Sequence, residues 1–450
     1  MFSFRAPNHR YQSEPFAPVR TEYTHFEFEV DGEIPAELDG TYIRNGPNPA
    51  GKISRKQHYF SGDGMVHGVR IRNGQPLWYR NRFVRVGDVP KVLGSADPGG
   101  PVSSKLDVSP NTNVVQFGSK LYATIEAGPS VVELSEELQT VARSDLNGAL
   151  QDGFTGHHKI DPDDGDVHGV VYSNALGKNA LYLRLTAKGE VLNRIKVPLA
   201  GSTQIHDMAI TKHFAIILDL NVTFDLWMLL KTSLPIRWNE KKPCRVGIVP
   251  KDGSASDVRW FEVDPCYVYH PMNAFEEDGK LILDVSRYAH ASKTDLYGPL
   301  GDTEPAIWRW IFDLDAPGSK AEEHLLVDRA LDFPKISPCV EGRPYRYGYG
   351  VEASLQPSFD GAIKMDLKTG AQERQDFDGG MASELSFIPR PDSSAEDDGW
   401  LMGFVYQPQR RQSRLVILDA QHFSQPPQAS IWIPEHHVPI GTHGSFFPAQ

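Results

Sequence analysis

Four histidines far apart in the chain share one kind of setting, short and apolar or glycine-rich. They are His157 in Thr155-Gly-His-His-Lys159, His206 in Ile205-His-Asp-Met-Ala209, His270 in Tyr269-His-Pro-Met-Asn-Ala-Phe275 and His443 in Gly441-Thr-His-Gly-Ser445. One such histidine is usually a hydrogen-bonded core residue, but four together suggest a shared metal. Neutral imidazoles suit iron, copper and zinc. With no cysteine or carboxylate among the ligands the metal stays cationic and keeps open positions, which suits oxygen chemistry better than a closed structural site. His157 and His158 are neighbours and on a strand would face opposite ways, so only one can reach the metal, and the residues alone do not choose between them.

A metal-bound imidazole normally donates its second N–H to a carboxylate, carbonyl or water. Glu126, after the apolar run Leu121-Tyr-Ala-Thr-Ile125, Asp332, and Glu384 in Ala382-Ser-Glu-Leu-Ser-Phe387 are the candidate partners, although each also reads as an ordinary strand end. His58, His67, His168, His213, His290, His324, His422, His436 and His437 lie in polar or charged stretches and read as surface or turn residues. The glycines of Ser61-Gly-Asp-Gly-Met65 lack the Lys-Ser/Thr of a phosphate loop and read as a hairpin turn.

Ligands so widely spaced need elements that return repeatedly to one place. Short apolar runs recur along the chain: Lys120–Glu126, Ala180–Leu185, Phe214–Leu218, Lys280–Asp284 and Leu415–Asp419. Turn pairs such as Asp31-Gly32, Asn73-Gly74, Asp152-Gly153 and Thr369-Gly370 fall between such runs, as in antiparallel meanders. A propeller sends the innermost strand of each blade along one axis, and the chain lengths between successive histidines correspond to one to three blades. No repeat of fixed period is visible.

The 450 residues include 39 Gly and 34 Pro, which favours many turns over long helices, and they read as a single domain over residues 1–450. The net charge of -12 argues against a nucleic-acid partner, which would need a basic stripe. Cys244, Cys266 and Cys339 are odd in number and without metal-ligand spacing; they read as core thiols and fit a cytoplasmic protein. The N-terminus has no signal-peptide pattern, and no stretch is long and apolar enough to span a bilayer. The strongest apolar cluster, Phe224–Pro235, reads as an exposed helix. It either caps the core or, through Phe224, Trp227 and Leu230, touches the inner membrane surface or borders an apolar tunnel.

These motifs together resemble the carotenoid cleavage oxygenases, the group that includes carotenoid-, apocarotenoid- and stilbene-cleaving members. The resemblance runs nearly end to end. It rests on Gly40-Thr-Tyr-Ile-Arg-Asn-Gly-Pro-Asn-Pro49, His58-Tyr-Phe-Ser-Gly-Asp-Gly-Met-Val-His67, Asn111-Thr-Asn-Val114, the four histidine motifs, Tyr345-Arg-Tyr-Gly-Tyr349 and Ser383-Glu384. It implies an all-β, seven-bladed β-propeller, capped by loops and short helices, with Fe(II) on the axis held by His157, His206, His270 and His443. His157 is taken over His158 because the family's ligand stands two residues before the lysine. It further implies that Glu126, Asp332 and Glu384 orient three of the ligands and that Thr112 crowds one open coordination position.

Asp332 departs from the family's usual Glu. One methylene less shortens the reach by about 1.5 Å, so its contact to the histidine is expected through water or a shifted backbone. The implied reaction adds O2 across a C=C bond of a carotenoid or apocarotenoid and yields two carbonyl products. Stilbene-cleaving members carry a Lys before the acid matching Glu126 and an upstream Tyr; this chain has Ile125, and Val92–Pro98 contains no Tyr, which favours an apolar polyene. The competing expectations are a stilbene- or phenylpropene-cleaving enzyme and a non-catalytic polyene-binding propeller.

Overall fold

The computed structural model describes residues 9–173, 176–298, 302–354 and 359–449. Antiparallel hairpins follow one another along it and collect into seven sheets that form the blades of a β-propeller. Blades II to VI each take four strands in chain order and begin with Asn113–Phe117, Lys159–Ile160, Met208–Ile210, Tyr267–Glu277 and Leu331–Lys335, respectively.

Blades I and VII are closed by the two ends of the chain. Gly444–Pro448 lies inside blade I beside Gly40–Pro47, in a register that sets Arg44 opposite Gly444. Val30–Gly32 forms the outer edge of blade VII beside Ala429–Trp432. The Asp31-Gly32 pair, expected as a turn, is therefore strand, because closing the ring needs its backbone for pairing. Asn73-Gly74 does form a hairpin turn, with both residues at positive φ (50° and 70°) as a two-residue β-turn of this type requires.

There is no single central core. A cluster of buried apolar side chains fills each blade-to-blade interface, as with Tyr182 and Val170 of blade III against Met208 and Ile217 of blade IV, or Tyr42 and Val69 of blade I against Trp400 and Phe404 of blade VII. Middle strands are thus covered on both faces: all nine residues of Gly399–Gln407 are buried. The outer strand Val191–Pro198 exposes Val191 and Leu192 and alternates buried and exposed residues only toward its end. Sandwiched strands read as continuous apolar runs rather than alternating ones, which explains the runs seen in the sequence.

The same packing buries histidines expected on the surface. His67 and His168 are fully buried, their Nδ1 atoms 2.8 Å from the hydroxyls of Tyr79 and Tyr182 on the adjacent strands, and His58 and His436 are buried as well. His213 and His422 are exposed as expected. Cys244 and Cys266 are buried, whereas Cys339, expected in the core, is exposed on the short helical turn Pro338–Val340. Ser61–Met65 is not a hairpin: Tyr59–Ser61 is a 3-10 turn that leads through Gly62 and Asp63 into the strand Gly64–Arg72.

Short elements cover one end of the axis. They include His9–Gln12, Tyr59–Ser61 and an insertion in blade IV, where the hairpin Val222–Phe224 and Ile236–Trp238 carries the 3-10 turn Leu226–Leu230. Asp225 caps that turn by accepting the N–H of Trp227 at 3.0 Å. Leu226, Trp227 and Leu230 point outward with relative exposures of 66%, 78% and 68%. No helix among the described residues is long and apolar enough to cross a membrane.

Candidate metal centre

Each blade contributes a candidate site residue at or near the start of its innermost strand. Thr112 precedes the first strand of blade II, His157 that of blade III and His206 that of blade IV; His270 lies in the first strand of blade V and Asp332 in that of blade VI. Glu384 precedes Ser386–Pro389 of blade VII, and His443 precedes the closing strand of blade I. Glu126 stands two residues beyond the second strand of blade II, Lys120–Thr124.

His157, His206, His270 and His443 are all buried, and each offers a ligand atom within 4.8 Å of the others. Their rings surround one point, with centroids 4.4 Å apart for His157 and His206, 4.3 Å for His157 and His443, and 5.1 Å for His270 and His443. The ring nitrogen of His206, His270 and His443 that faces outward is Nδ1. It lies 2.9 Å from Glu126 Oε1, Asp332 Oδ1 and Glu384 Oε1, respectively. Three acids thus fix the Nδ1–H tautomer and turn Nε2 inward, the usual support of a metal-binding imidazole. Nε2 of His157 and of His270 is buried without a hydrogen-bond partner among the described residues. Orphaned buried nitrogens aimed at one another are costly unless a cation satisfies them, so this donor set fits a first-row divalent metal.

Asp332 reaches His270 directly, not through water. A bulge breaks the pairing register between Asp332 and Lys335, with Phe333 at a φ of 50°. Asp332 Oδ1 also accepts the N–H of Phe333 at 2.8 Å, and Oδ2 accepts the hydroxyl of Tyr288 at 2.6 Å. The Phe333 ring then stacks on His270 with centroids 5.0 Å apart.

The other acids are held as firmly, by groups the sequence did not single out. Glu126 accepts a short hydrogen bond from Tyr172. Glu384 accepts Lys335 Nζ at 2.9 Å and the N–H of Gly444 at 3.1 Å. Tyr172, Tyr288 and Lys335 carried no local signal, because their relation to the acids exists only across strands and blades.

Burial opposes ionisation of Asp332 and Glu384, yet the adjacent imidazoles, with Lys335 beside Glu384, outweigh it and hold both carboxyls below their usual range. Burial, followed by the neighbouring imidazoles, keeps His157 neutral, its pKa well below the ordinary value. His443 is lowered to about 4 by burial despite Glu384. Neutral imidazoles are the form that binds metal.

Thr112 is buried beside this ring of histidines. Its Cγ2 lies 2.6 Å from where a Cβ on Gly156 would stand, and its carbonyl accepts the N–H of His443 at 3.2 Å. His158 is half-buried and is not among the four converging histidines. A narrow cleft opens onto His206, His270 and His443, walled mainly by Phe16, Tyr59, Phe60, Tyr269, Phe333 and Phe359. An apolar cleft beside these imidazoles favours an apolar substrate and keeps bulk water away.

A family model described as "RPE65: Retinal pigment epithelial membrane protein" matches residues 16–448. A carotenoid cleavage oxygenase of Mycobacterium tuberculosis is 36% identical, covering 96% of this chain and 96% of that protein. An apocarotenoid-15,15'-oxygenase of Synechocystis is 34% identical over 97% of this chain and 95% of its own length. Among solved structures, the cobalt-substituted Synechocystis ACO superposes with a TM-score of 0.85 at 31% identity, over 96% of this chain and 97% of that one. The lignostilbene dioxygenase of Pseudomonas brassicacearum gives 0.84 at 26% identity, over 96% and 97%.

Proposed function

Because this chain belongs to the carotenoid cleavage oxygenase family, we propose that it is a dioxygenase that cleaves one C=C bond of a carotenoid or apocarotenoid. Both atoms of O2 end in the two carbonyl products. The observation that carries this reading is the convergence of four buried imidazoles within 4.8 Å, three of which, His206, His270 and His443, line an aromatic cleft.

His157, His206, His270 and His443 would hold Fe(II) through Nε2, and the metal supplies the activation of O2 that alkene scission requires. The chain's own residues do the rest. Glu126, Asp332 and Glu384 lock three imidazoles in place, so that little reorganisation is needed during reaction. Phe60, Phe333 and Phe359 hold a flat conjugated chain and set one of its double bonds beside the centre. Thr112, wedged beside Gly156 and the His443 backbone, narrows the space around the metal on that side.

The exposed Leu226, Trp227 and Leu230, with Phe224 at the base of the same insertion, support peripheral contact of a cytoplasmic protein with the inner membrane surface, from which an apolar substrate could be drawn. A polyene is favoured over a hydroxystilbene because Ile125 offers no cation to a phenol.

The test is anaerobic purification with metal analysis, then oxygen uptake and product mass spectrometry on a panel of apocarotenals and hydroxystilbenes, with His270→Ala as control. About one iron per chain and paired aldehydes from an apocarotenal are expected. Turnover of hydroxystilbenes alone would reassign the substrate. Polyene binding without oxygen uptake would identify a non-catalytic binder.

A further inference from the structure

Three of the four converging histidines hold an acid at 2.9 Å, and His157 does not. Its backbone is fixed, the N–H donating to Thr155 Oγ1 at 3.0 Å. Among the described residues nothing so direct fixes its ring, although its buried Nε2 must point to the centre with the others.

The carboxylate facing the ring belongs to Asp207, whose Oδ2 lies 3.7 Å from His157 Nδ1. That is beyond hydrogen-bond length but within strong electrostatic reach for side chains 5% and 3% exposed. Asp207 is itself held at both oxygens. Oδ1 accepts the N–H of Met208 at 2.6 Å, and Oδ2 accepts Lys159 Nζ at 3.2 Å.

Asp207 directly follows the ligand His206 in blade IV, while Lys159 stands two residues after His157 in blade III. The pair therefore joins two adjacent blades where each delivers a histidine, the two rings having centroids 4.4 Å apart.

We propose that Asp207, whose Oδ2 is shared with Lys159, is the positioning residue of His157. Its charge favours the proton on Nδ1, so Nε2 is left to bind metal, and it does for the fourth ligand what Glu126, Asp332 and Glu384 do for the other three. Because Lys159 shares Oδ2, His157 is the least polarised of the four imidazoles. The inference rests on the proposed four-histidine metal site.

Co2+ titration of the full-length metal-free protein, followed by its visible absorption, separates this role from that of a buried ion pair. Asp207→Asn should weaken Co2+ binding about 10-fold, the low end for outer partners of metal ligands because the contact is longer than 2.9 Å, and should shift the absorption bands. Lys159→Met should bind Co2+ at least as tightly as the parent, since it frees Oδ2 for His157. The double variant should bind as weakly as Asp207→Asn alone.

Recovery of parental affinity in the double variant would mean that Asp207 only neutralises Lys159, and the proposal would be wrong. Parental affinity and bands in Asp207→Asn would overturn it equally. Should Asp207→Asn not fold, Lys159→Met decides, weaker binding there counting against the proposal. A parent protein that takes up no Co2+ would instead overturn the four-histidine site itself, and this role with it.

Discussion

Asp332 offers the sharpest test of how closely the outer residues are fitted to the site. Its carboxylate accepts three hydrogen bonds, from His270 at 2.9 Å, Phe333 at 2.8 Å and Tyr288 at 2.6 Å, and the residue is 2% exposed. Asp332→Glu pushes the carboxylate forward by about 1.5 Å. At least one of the three bonds is then lost, costing about 1.5–3 kcal/mol for an ionised acceptor. The added methylene overpacks a filled site for about 1–3 kcal/mol. Asp332→Asn keeps the shape: Asn Oδ1 serves His270 and Phe333 while the Tyr288 hydroxyl turns to accept from the amide, so stability should fall by only about 1 kcal/mol. It removes the charge that supports His270, and metal affinity should fall about 10- to 100-fold.

Urea unfolding of the metal-free proteins measures the first effect free of linkage to bound metal, and Co2+ titration measures the second. The expected pattern is crossed, with Glu damaging stability and Asn damaging affinity. A Glu variant as stable as the parent and tighter for metal would show that Asp332 is a shortened, poorly fitted residue and would refute the reasoning.

Three further outcomes are expected. His58, His168 and His436 are pushed by burial to pKa values of about 4, 3 and 4, against 6.5 when unfolded. The unfolded chain therefore binds more protons below pH 6.5, and stability should hold above that pH and fall beneath it by about 1.4 kcal/mol per histidine per pH unit; an unfolding midpoint unchanged from pH 7 to 5 would contradict this. Gly441→Ala, two residues before His443, would drive a Cβ into the guanidinium of the buried Arg44. It should lower stability by about 3 kcal/mol and weaken Co2+ binding, and full retention of both in unfolding and titration would show that Arg44 has room to move. Trp227→Ser with Leu230→Ser should release the protein from liposomes in flotation assays without changing turnover of a detergent-solubilised apocarotenal, whereas unchanged flotation would place the membrane contact elsewhere.

Much of the site was legible because its signals are local. Each histidine carries its own short motif, and Glu126 and Glu384 follow or interrupt apolar runs where an unpaired carboxylate would be costly. Pairings across strands were not legible. The burial of His67 and His168 depends on Tyr79 and Tyr182, which stand on neighbouring strands. Direct contact of Asp332 with His270 is made beside a bulge, and a bulge changes reach without changing composition.

The sequence by itself determined the chemistry available, four imidazoles and three acids without a cysteine among them, and the strand-turn rhythm that returns the chain repeatedly to one place. Only the tertiary structure decided that these groups meet. The four histidines come from blades III, IV, V and I, and the last of them arrives only when Gly444–Pro448 pairs with Gly40–Pro47 and closes the ring, the N–H of Asn45 donating to the carbonyl of His443 at 3.1 Å. The physical reason is that each blade buries both its faces against its neighbours. The angle between successive blades, and with it the point where seven innermost strands converge, is set by side-chain packing between sheets, which no stretch of sequence contains.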